Sequence, residues 1–552
     1  MPGLSFFIDN NSTMQSLLIE YIYLILIILA LIMVANKLRL AYPIVLVLGG
    51  LAISITGEFS EITIDPELVF LIFLPPLLYE AAWQISWKEF WRWRRVITSF
   101  AFPIVILTSC VIALVSHALI PGFTLALGFL LGGIISPPDA ISATTIMRKV
   151  DVPKSLVSIA EGESLLNDAS SLIVLRFALA AVVTGQFQMQ QAAAGFALVV
   201  FMGIGIGLLV GAFFYAIHRW LPTTTSIEIV LTLVTPYCMY YAAEHFHFSG
   251  VLAVVSGGLL LSNKRQSMLT YQSRIQGINV WTSLVFVLNG LIFLLIGFQL
   301  PFIVRQLGET SLRSAIGYGL AISVVLMLTR LAFTFGASLF TRFISQFITV
   351  AQANPGWRNP LILGWAGMRG VVSLAAALSI PLVVGAGQPF PHRNLILFIT
   401  FIVILVTLVF QGLTLPWLIR KVKPEDDAVP EVKQELVIQQ KITEASLQFL
   451  QKQTEADRPA NEHVANLYQR LTIDLRLLRQ ELDGTENAKV NARVDYQRTY
   501  LDLLEQQRNW LGEMNRQSDF DEELIRKQLS LIDIEEYKIR EELIQDNSND
   551  EL

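Results

Sequence analysis

Thirteen long apolar runs occupy the chain up to Arg420, each close to the roughly 20 residues that a helix needs to cross a hydrocarbon layer about 30 Å thick. With charges, Pro and Gly setting their ends, they fall near 15 to 36, 40 to 56, 67 to 84, 96 to 119, 123 to 147, 155 to 183, 193 to 217, 226 to 243, 248 to 262, 279 to 303, 314 to 341, 361 to 384 and 394 to 419. The second and ninth are short. A soluble chain carries about 25% charged residues; this one carries 15%, with 53% hydrophobic residues and a mean hydropathy of +0.55. The fold class this predicts is an all-α polytopic membrane protein with about 13 transmembrane helices. Cys110 and Cys238 both lie inside apolar runs, so a disulfide scaffold and a four-thiolate zinc site are excluded. A cleavable signal peptide is disfavoured, because the first run is long and is accompanied by Asp9 and Glu20 rather than a basic leader.

Positive charge gathers on the cytoplasmic side of membrane proteins, and here it alternates from loop to loop. The odd-numbered connections hold Lys37 and Arg39; Lys88, Arg92, Arg94 and Arg95; Arg148, Lys149 and Lys154; Arg219; Lys264, Arg265 and Arg274; Arg342 and Arg358; and Arg420, Lys421 and Lys423. The intervening loops hold Arg305, Arg313 and Arg393, and the one after run two is acidic, with Glu58, Glu61, Asp65 and Glu67. The bias predicts an outside N-terminus and an inside C-terminus. Trp83, Trp87, Trp91 and Trp93, beside one basic cluster, read as an interfacial aromatic belt.

The net charge of −5 divides unevenly: residues 1–420 hold 22 basic and 16 acidic residues, and residues 421–552 hold 18 and 29. The domain reading is therefore a transmembrane domain over 1–420, a linker over 421–430 and a helical cytoplasmic tail over 431–552. Leu467, Leu471, Leu475, Leu478 and Leu482 form a helical stripe. Pro459 and Gly484 predict three tail helices, and residues from Asp546 onward read as disordered. A charged tail is by default a solvated face; regulation or a dimer contact is the alternative.

Ionisable residues inside a span are expensive, so each is a functional hypothesis. Run six reads Glu161-Gly-Glu-Ser-Leu-Leu-Asn-Asp-Ala-Ser-Ser171. On a 3.6-residue helix Glu161, Glu163, Ser164, Asn167, Asp168 and Ser171 share one arc of about 160°, opposite Leu165 and Leu166. Three carboxylates, an amide and hydroxyls facing a bundle interior make a cation site or a proton relay; a solvated helix end accounts for Glu161 but not for Asp168.

Run five carries Ser136-Pro-Pro-Asp139 near its middle. Two successive prolines remove two donors, freeing carbonyls near Gly132 to Ile135. Unwound backbone at that depth survives only where protein or a water-filled cavity satisfies it, the arrangement with which many secondary transporters build a substrate site. A simple packing kink is the alternative, against which Asp139 weighs. Run twelve, Gly-rich around Met368-Arg-Gly370, is the expected counterpart in an inverted repeat. Arg369 stays charged and needs a partner. Glu163 at similar depth is the first candidate, Arg330 is a second arginine for the same pairing, and Glu80 extends the network. Either a salt bridge that holds the core or a direct role fits Arg369. Arg176 is assigned no role.

Gly203-Ile-Gly-Ile-Gly207 looks like a dinucleotide turn, but it lies in an apolar helix with no strand before it. Gly203, Gly207 and Gly211 instead predict close helix packing. Glu244, His245 and His247 read as a solvated loop rather than a metal site, and His117 as a structural interfacial residue.

Several separated stretches together resemble the bacterial sodium/proton antiporters of the cation/proton antiporter-1 family, related to animal sodium/hydrogen exchangers. They are Tyr42-Pro-Ile-Val-Leu-Val-Leu-Gly-Gly50, Leu74-Pro-Pro-Leu-Leu-Tyr-Glu80, Ser136-Pro-Pro-Asp139, Glu163-Ser-Leu-Leu-Asn-Asp168, Met368-Arg-Gly370 and Gln411-Gly-Leu-Thr-Leu-Pro416, in the family's order. The resemblance implies that Asp168 is the ion- and proton-binding carboxylate and Asn167 its partner. It also implies that Ser164 and the Pro138 carbonyl are further ligands, that Asp139 belongs to the unwound helix, and that Arg369 balances buried acids. Pro138 stands where the family often has Thr, which removes a hydroxyl from the site.

Coordination of a cation needs a deprotonated carboxylate, so Na⁺ and H⁺ compete for Asp168. With alternating access, that competition exchanges cytoplasmic Na⁺ for external H⁺ in pH and sodium homeostasis at the bacterial inner membrane. Asn167 in place of a second acid implies electroneutral one-for-one exchange. K⁺/H⁺ antiport is the nearest alternative and a cation channel the alternative of another class. An enzyme is disfavoured, because no loop before Arg420 has room for a domain. No cofactor beyond the transported Na⁺ and H⁺ and no nucleic acid is expected; membrane lipid, a second copy in a homodimer and a regulator of the tail are the expected partners.

Overall fold

The computed structural model describes residues 22–38, 40–56, 71–150, 152–185, 189–305, 307, 310–347, 352, 356–384, 388–424, 431–454, 462–482, 488–514 and 522–547. Asp9, Glu20, Arg39, the acidic stretch from Glu58 to Glu67, Pro459, Gly484 and residues 548–552 lie outside these. The chain divides into two compact units, Met1–Glu425 and Asp426–Leu552.

The first unit begins with α1 (Ile22–Lys37), α2 (Tyr42–Thr56) and α3 (Leu74–Gln84). Next comes α4 (Trp87–Ser99), continued through a π-helical turn at Phe100–Ile104 into α5 (Val105–Leu119). The helices α6 (Leu125–Ile135) and α7 (Ala140–Met147) are one apolar run broken at the double proline. Then follow α8 (Lys154–Thr184), α9 (Met189–Trp220), α10 (Thr225–His245), α11 (Gly250–Met268), α12 (Tyr271–Arg305) and α13 (Leu312–Ile344). A second broken run gives α14 (Arg358–Trp365) and α15 (Val371–Leu378). The unit closes with α16 (Arg393–Val406), a π-helical turn at Thr407–Gln411 and α17 (Gly412–Val422).

Among the described residues eight helical stretches are long and apolar enough to cross a membrane, and Ile22–Lys37 and Tyr42–Ile55 are shorter apolar helices. The protein is a multi-pass membrane protein. The eight are fewer than the thirteen runs because several runs fold as helices too short to qualify alone, or are interrupted near their middle. One departure from an all-helical fold is a two-residue antiparallel pair, Val383–Val384 with Gln388–Pro389, between α15 and α16.

Small residues set the tightest approaches. A Cβ on Gly207 would lie 2.6 Å from the Cα of Ala253, and one on Gly203 2.9 Å from the Ser249 carbonyl, so α9 and α11 pack almost backbone to backbone, as the glycine spacing predicts. Gly128 and Gly132 bring α6 against Ala113 and Ser109 of α5 in the same way.

The tryptophan cluster departs from expectation. Its basic residues sit on α4 itself, Trp87 stacks on Trp91 at 5.8 Å, and Arg94 lies 4.5 Å over the Trp91 ring. Trp93, in contrast, is buried and donates to Glu89 at 3.2 Å, so it belongs to the core rather than to an exposed belt.

The second unit comprises α18 (Glu431–Thr454), α19 (Glu462–Leu482), α20 (Ala488–Met514) and α21 (Glu522–Asn547), four helices where Pro459 and Gly484 alone predict three. The additional separation, between α20 and α21, follows Gly512 in the last turn of α20. The helices pair as α18 with α19 and α20 with α21. The second pair closes on Leu504, Ile532 and Ile539, with Arg508 bound to Asp533 and Glu536.

Candidate functional site

The double proline in run five costs the backbone two donors, and the N–H groups of Asp139, Ala140 and Ile141 bond outside the helical ladder, so freed carbonyls take other partners. The Gly133 carbonyl, which a residue at 137 would serve in an unbroken helix, accepts from the Ser171 hydroxyl at 2.8 Å. The Asp139 N–H turns away from its own helix to the Met368 carbonyl at 2.7 Å. The Ile135 carbonyl thereby left accepts from Arg369 Nε at 2.6 Å, and the Ser136 carbonyl from Arg369 Nη2 at 3.0 Å. The Pro138 carbonyl accepts from Asn167 Nδ2 at 2.8 Å. Helix α7 then starts with Asp139 as N-cap: its carboxylate accepts from the Ile141 N–H and the Ser142 hydroxyl, both at 3.0 Å, while the Ala140 N–H donates to Ser164 Oγ at 3.2 Å.

The two breaks therefore interlock. A Cβ on Gly370 would run into the Asp139 side chain, so only a glycine lets the second broken run come this close. Arg369 further donates to the Gly367 carbonyl, and its N–H reaches Thr407 Oγ1, in the π-helical turn before α17, at 3.1 Å.

This geometry decides which of the two candidate arginines pairs with Glu163 and separates Glu80 from that pair. Glu163 pairs with Arg330 rather than Arg369: two hydrogen bonds, one of 2.7 Å, join groups 2% and 4% exposed, and the guanidinium lies 5.5 Å from the Phe100 ring. Arg369 is held by carbonyl dipoles instead, because the broken helix supplies acceptors that reach it first. Glu80 is not part of that network; it accepts from Gln84 and lines a cavity with Arg148 and Glu161, which pair at 2.7 Å. The Pro138 carbonyl and Ser164 Oγ each accept one hydrogen bond, from Asn167 Nδ2 and the Ala140 N–H, and each oxygen keeps a second lone pair.

A cavity of about 320 Å³ runs to Asp168. Asp139, Ser164 and Asp168 lie on one wall; α3 supplies Leu74, Leu77, Leu78 and Glu80, and α12 supplies Thr282, Val285, Phe286, Asn289 and Ile292. Near Glu80, Gln84, Arg148 and Thr282 it adjoins a wider cavity of about 530 Å³ that includes Arg265 and Arg274. Asp168 is 6% exposed, and among the described residues no hydrogen bond or ion pair engages its carboxylate. Asp139, Ser164, Asn167, Pro138 and Asp168 are thus brought together, while Glu163 and Arg330 form a separate buried pair.

Other residues behave more simply. Arg176 binds Glu244 at 2.7 Å, tying α8 to α10, and Glu244 also accepts from the Gly250 N–H at 3.1 Å. His117 Nδ1 sits 2.6 Å from the Phe123 carbonyl, a structural contact. Sequence reasoning missed the carbonyl-capping role of Ser171, the acceptor role of Thr407 toward the Arg369 N–H, the cavity positions of Tyr42 and Asn289, and the π-helical turn at Phe100–Ile104. Pro103 within an apolar run is the signal for that turn, whose Ala101 carbonyl accepts from Ser170 at 2.5 Å.

Interlocked broken helices beside a buried carboxylate define a multi-pass membrane protein of the kind that binds small ions between helix breaks. The chain belongs to the sodium/hydrogen exchanger family, whose transmembrane domain profile matches residues 23–421. It is 33% identical over 418 residues to a sodium, potassium, lithium and rubidium/H⁺ antiporter of Bacillus pumilus, across 73% of this chain and 62% of that protein, so it spans less than two thirds of that relative's length. It is 32% identical over 490 residues to the low-affinity Na⁺/H⁺ antiporter NhaS1 of Synechocystis, across 84% of this chain and 88% of that one. The sodium proton antiporter MjNhaP1 of Methanocaldococcus jannaschii shares the fold, with a TM-score of 0.57 at 18% identity over 74% of this chain and 100% of that one.

Proposed function

We propose that the protein is a secondary active transporter that exchanges cytoplasmic Na⁺ for external H⁺ at the bacterial inner membrane, by alternating access and with one-for-one stoichiometry. The observation that carries this reading is the cavity ending at Asp168. Among the described residues, the Asp139 carboxylate is bound by Ile141 and Ser142 and Glu163 is paired with Arg330, while the Asp168 carboxylate lines the cavity with no hydrogen bond or ion pair. Na⁺ binds the deprotonated carboxylate and H⁺ displaces it, so the two ions compete for one group. The charge bias of the loops supports thirteen crossings with the N-terminus outside and the tail in the cytoplasm, which makes the wide mouth near Arg148, Arg265 and Arg274 the inner one. The paired breaks are the centres of two inverted repeats, and a second copy completes a homodimer. Asp139 and Ser164 are the remaining oxygen donors nearest the bound ion.

Exchange of several alkali cations for H⁺ is the second reading, favoured by the Bacillus pumilus relative, whose name covers four of them. Vesicles containing the purified chain and a trapped pH dye decide between the readings when Na⁺, K⁺ or Li⁺ is added in turn. Asp168→Asn abolishes the cation-dependent proton flux in protein that still elutes and melts as wild type; flux retained by Asp168→Asn refutes the assignment. Na⁺ uptake driven by membrane potential alone refutes one-for-one exchange.

A further inference from the structure

Part of the wall of the cavity that Asp168 lines is made by one face of α12, on which Thr282, Val285, Phe286, Asn289 and Ile292 recur at three- and four-residue spacing. Two of these are polar. Thr282 is exposed where the cavity meets its wider neighbour, and Asn289 lies two turns deeper. Asn289 is 4% exposed, and its Oδ1 has no hydrogen-bond partner among the described residues.

A buried amide oxygen without a donor is costly, and an apolar side chain of similar shape would remove that cost. Packing therefore gives no reason for an asparagine among Val285, Phe286 and Ile292. With no hydrogen bond fixing the amide, a half-turn about its last torsion exchanges Oδ1 and Nδ2 and turns the oxygen toward the cavity. A neutral amide oxygen is a hard donor of the kind alkali cations take in place of water, and it keeps its character at every pH.

We propose that Asn289 is a specificity-determining residue for the transported cation: its amide oxygen, offered into the cavity that Asp168 also lines, replaces one water of the incoming ion and so sets which alkali cation is preferred. This rests on the cation/proton exchange reading above. It differs from that reading in placing a cation contact on α12, outside both broken helices. A dehydrating contact should act on cation affinity and on the ranking of cations, and leave the maximal rate nearly unchanged.

The test combines equilibrium binding of radiolabelled Na⁺ to purified full-length protein in detergent with proton flux in vesicles under Na⁺, K⁺ and Li⁺. Asn289→Leu and Asn289→Ala both delete the oxygen, so one remains informative if the other misfolds; Asn289→Gln retains an amide. Expected for the deletions is a fivefold or larger rise in the half-saturating Na⁺ concentration, a change of threefold or more in the Na⁺ to K⁺ ratio of half-saturation, and a maximal rate within twofold of wild type. Asn289→Gln should recover at least half of the lost affinity. Half-saturation values unchanged within twofold for all three cations overturn the proposal, as does an equal fall in maximal rate for every cation with affinity intact, the signature of a purely structural role. Wild-type protein that binds Na⁺ while the deletions bind it equally well refutes the Asn289 assignment alone. Wild-type protein that binds no alkali cation refutes the exchange reading and the assignment with it.

Discussion

Glu163 and Arg330 offer the sharpest test of how the buried charges are apportioned. The pair is bidentate and almost fully enclosed, at 2% and 4% exposure. Removing one member leaves the other charged and without a counterion, a loss of about 3–5 kcal/mol. Glu163→Gln should fall at the upper end, because Arg330 and Arg369 both flank Gly367, where a Cβ would be 3.2 Å from Arg330 Nε and 3.0 Å from Arg369 Nη1. Without the glutamate, two guanidinium groups roughly 6 Å apart repel by about 3 kcal/mol at an effective dielectric near 20. Arg330→Met loses the Phe100 contact as well, which adds up to about 2 kcal/mol when desolvated. Replacing both members, as Glu163→Leu with Arg330→Met, removes both desolvation penalties along with the attraction, so the double variant should recover most of the single-variant loss. Chemical unfolding in detergent micelles, followed by tryptophan fluorescence, reads the ranking directly. A double variant no more stable than the weaker single variant refutes the reasoning, and so does a Glu163→Gln protein as stable as wild type.

Two further outcomes follow from geometry elsewhere. Gly207→Val forces a side chain into the Ala253 backbone and should cost about 1–3 kcal/mol through overpacking, whereas Gly205→Ala, with nothing within 4 Å, should leave melting unchanged or raised; equal behaviour of the two refutes the close α9–α11 contact. In the tail, hydrogen bonds from Arg540 and Arg508 hold the Glu536 carboxyl below its usual range. A depressed folded value means that the stabilisation is present above the unfolded carboxylate value, about 4.3, and is lost as pH falls through the lower folded one. Backbone amides of α20 and α21 in the full chain should therefore lose exchange protection on acidification, and Glu536→Gln should blunt that loss; protection independent of pH in wild type counts against it.

The membrane class, the two breaks and the polar arc of α8 were legible because each rests on local chemistry: run length, missing proline donors and helical period. The α9–α11 contact was legible for the same reason, since glycine every fourth residue marks a face. What was not legible is pairing across long separations. Depth along a span made Glu163 and Arg369 look like partners, but depth says nothing about the angle at which α13 presents Arg330. A sequence also lists acceptors without the donors that reach them, here Asn167 on the Pro138 carbonyl and the Ala140 N–H on Ser164. Asn289 stood in plain view as one of three amides, with Asn279 and Gln299, in an apolar run; only the cavity gave it meaning.

The three acids of the α8 arc show how one periodic face is divided among three tasks. Glu161, at the mouth, is tied to Arg148; Glu163, deeper, is neutralised by Arg330; Asp168, deepest, faces the cavity. Among the described residues Arg369 forms no ion pair with Asp168; the Ile135, Ser136 and Gly367 carbonyls accept three of its five side-chain N–H donors. Under the proposed exchange reading Asp168 supplies the one negative charge that the ions fill, and either one proton or one monovalent cation fills it to the same net charge. An empty site would carry that charge uncompensated through a low-dielectric interior when the breaks move, which is the costly state. The same assignment makes exchange obligatory and leaves the loaded carrier equally charged in both directions, which is the physical content of one-for-one electroneutrality.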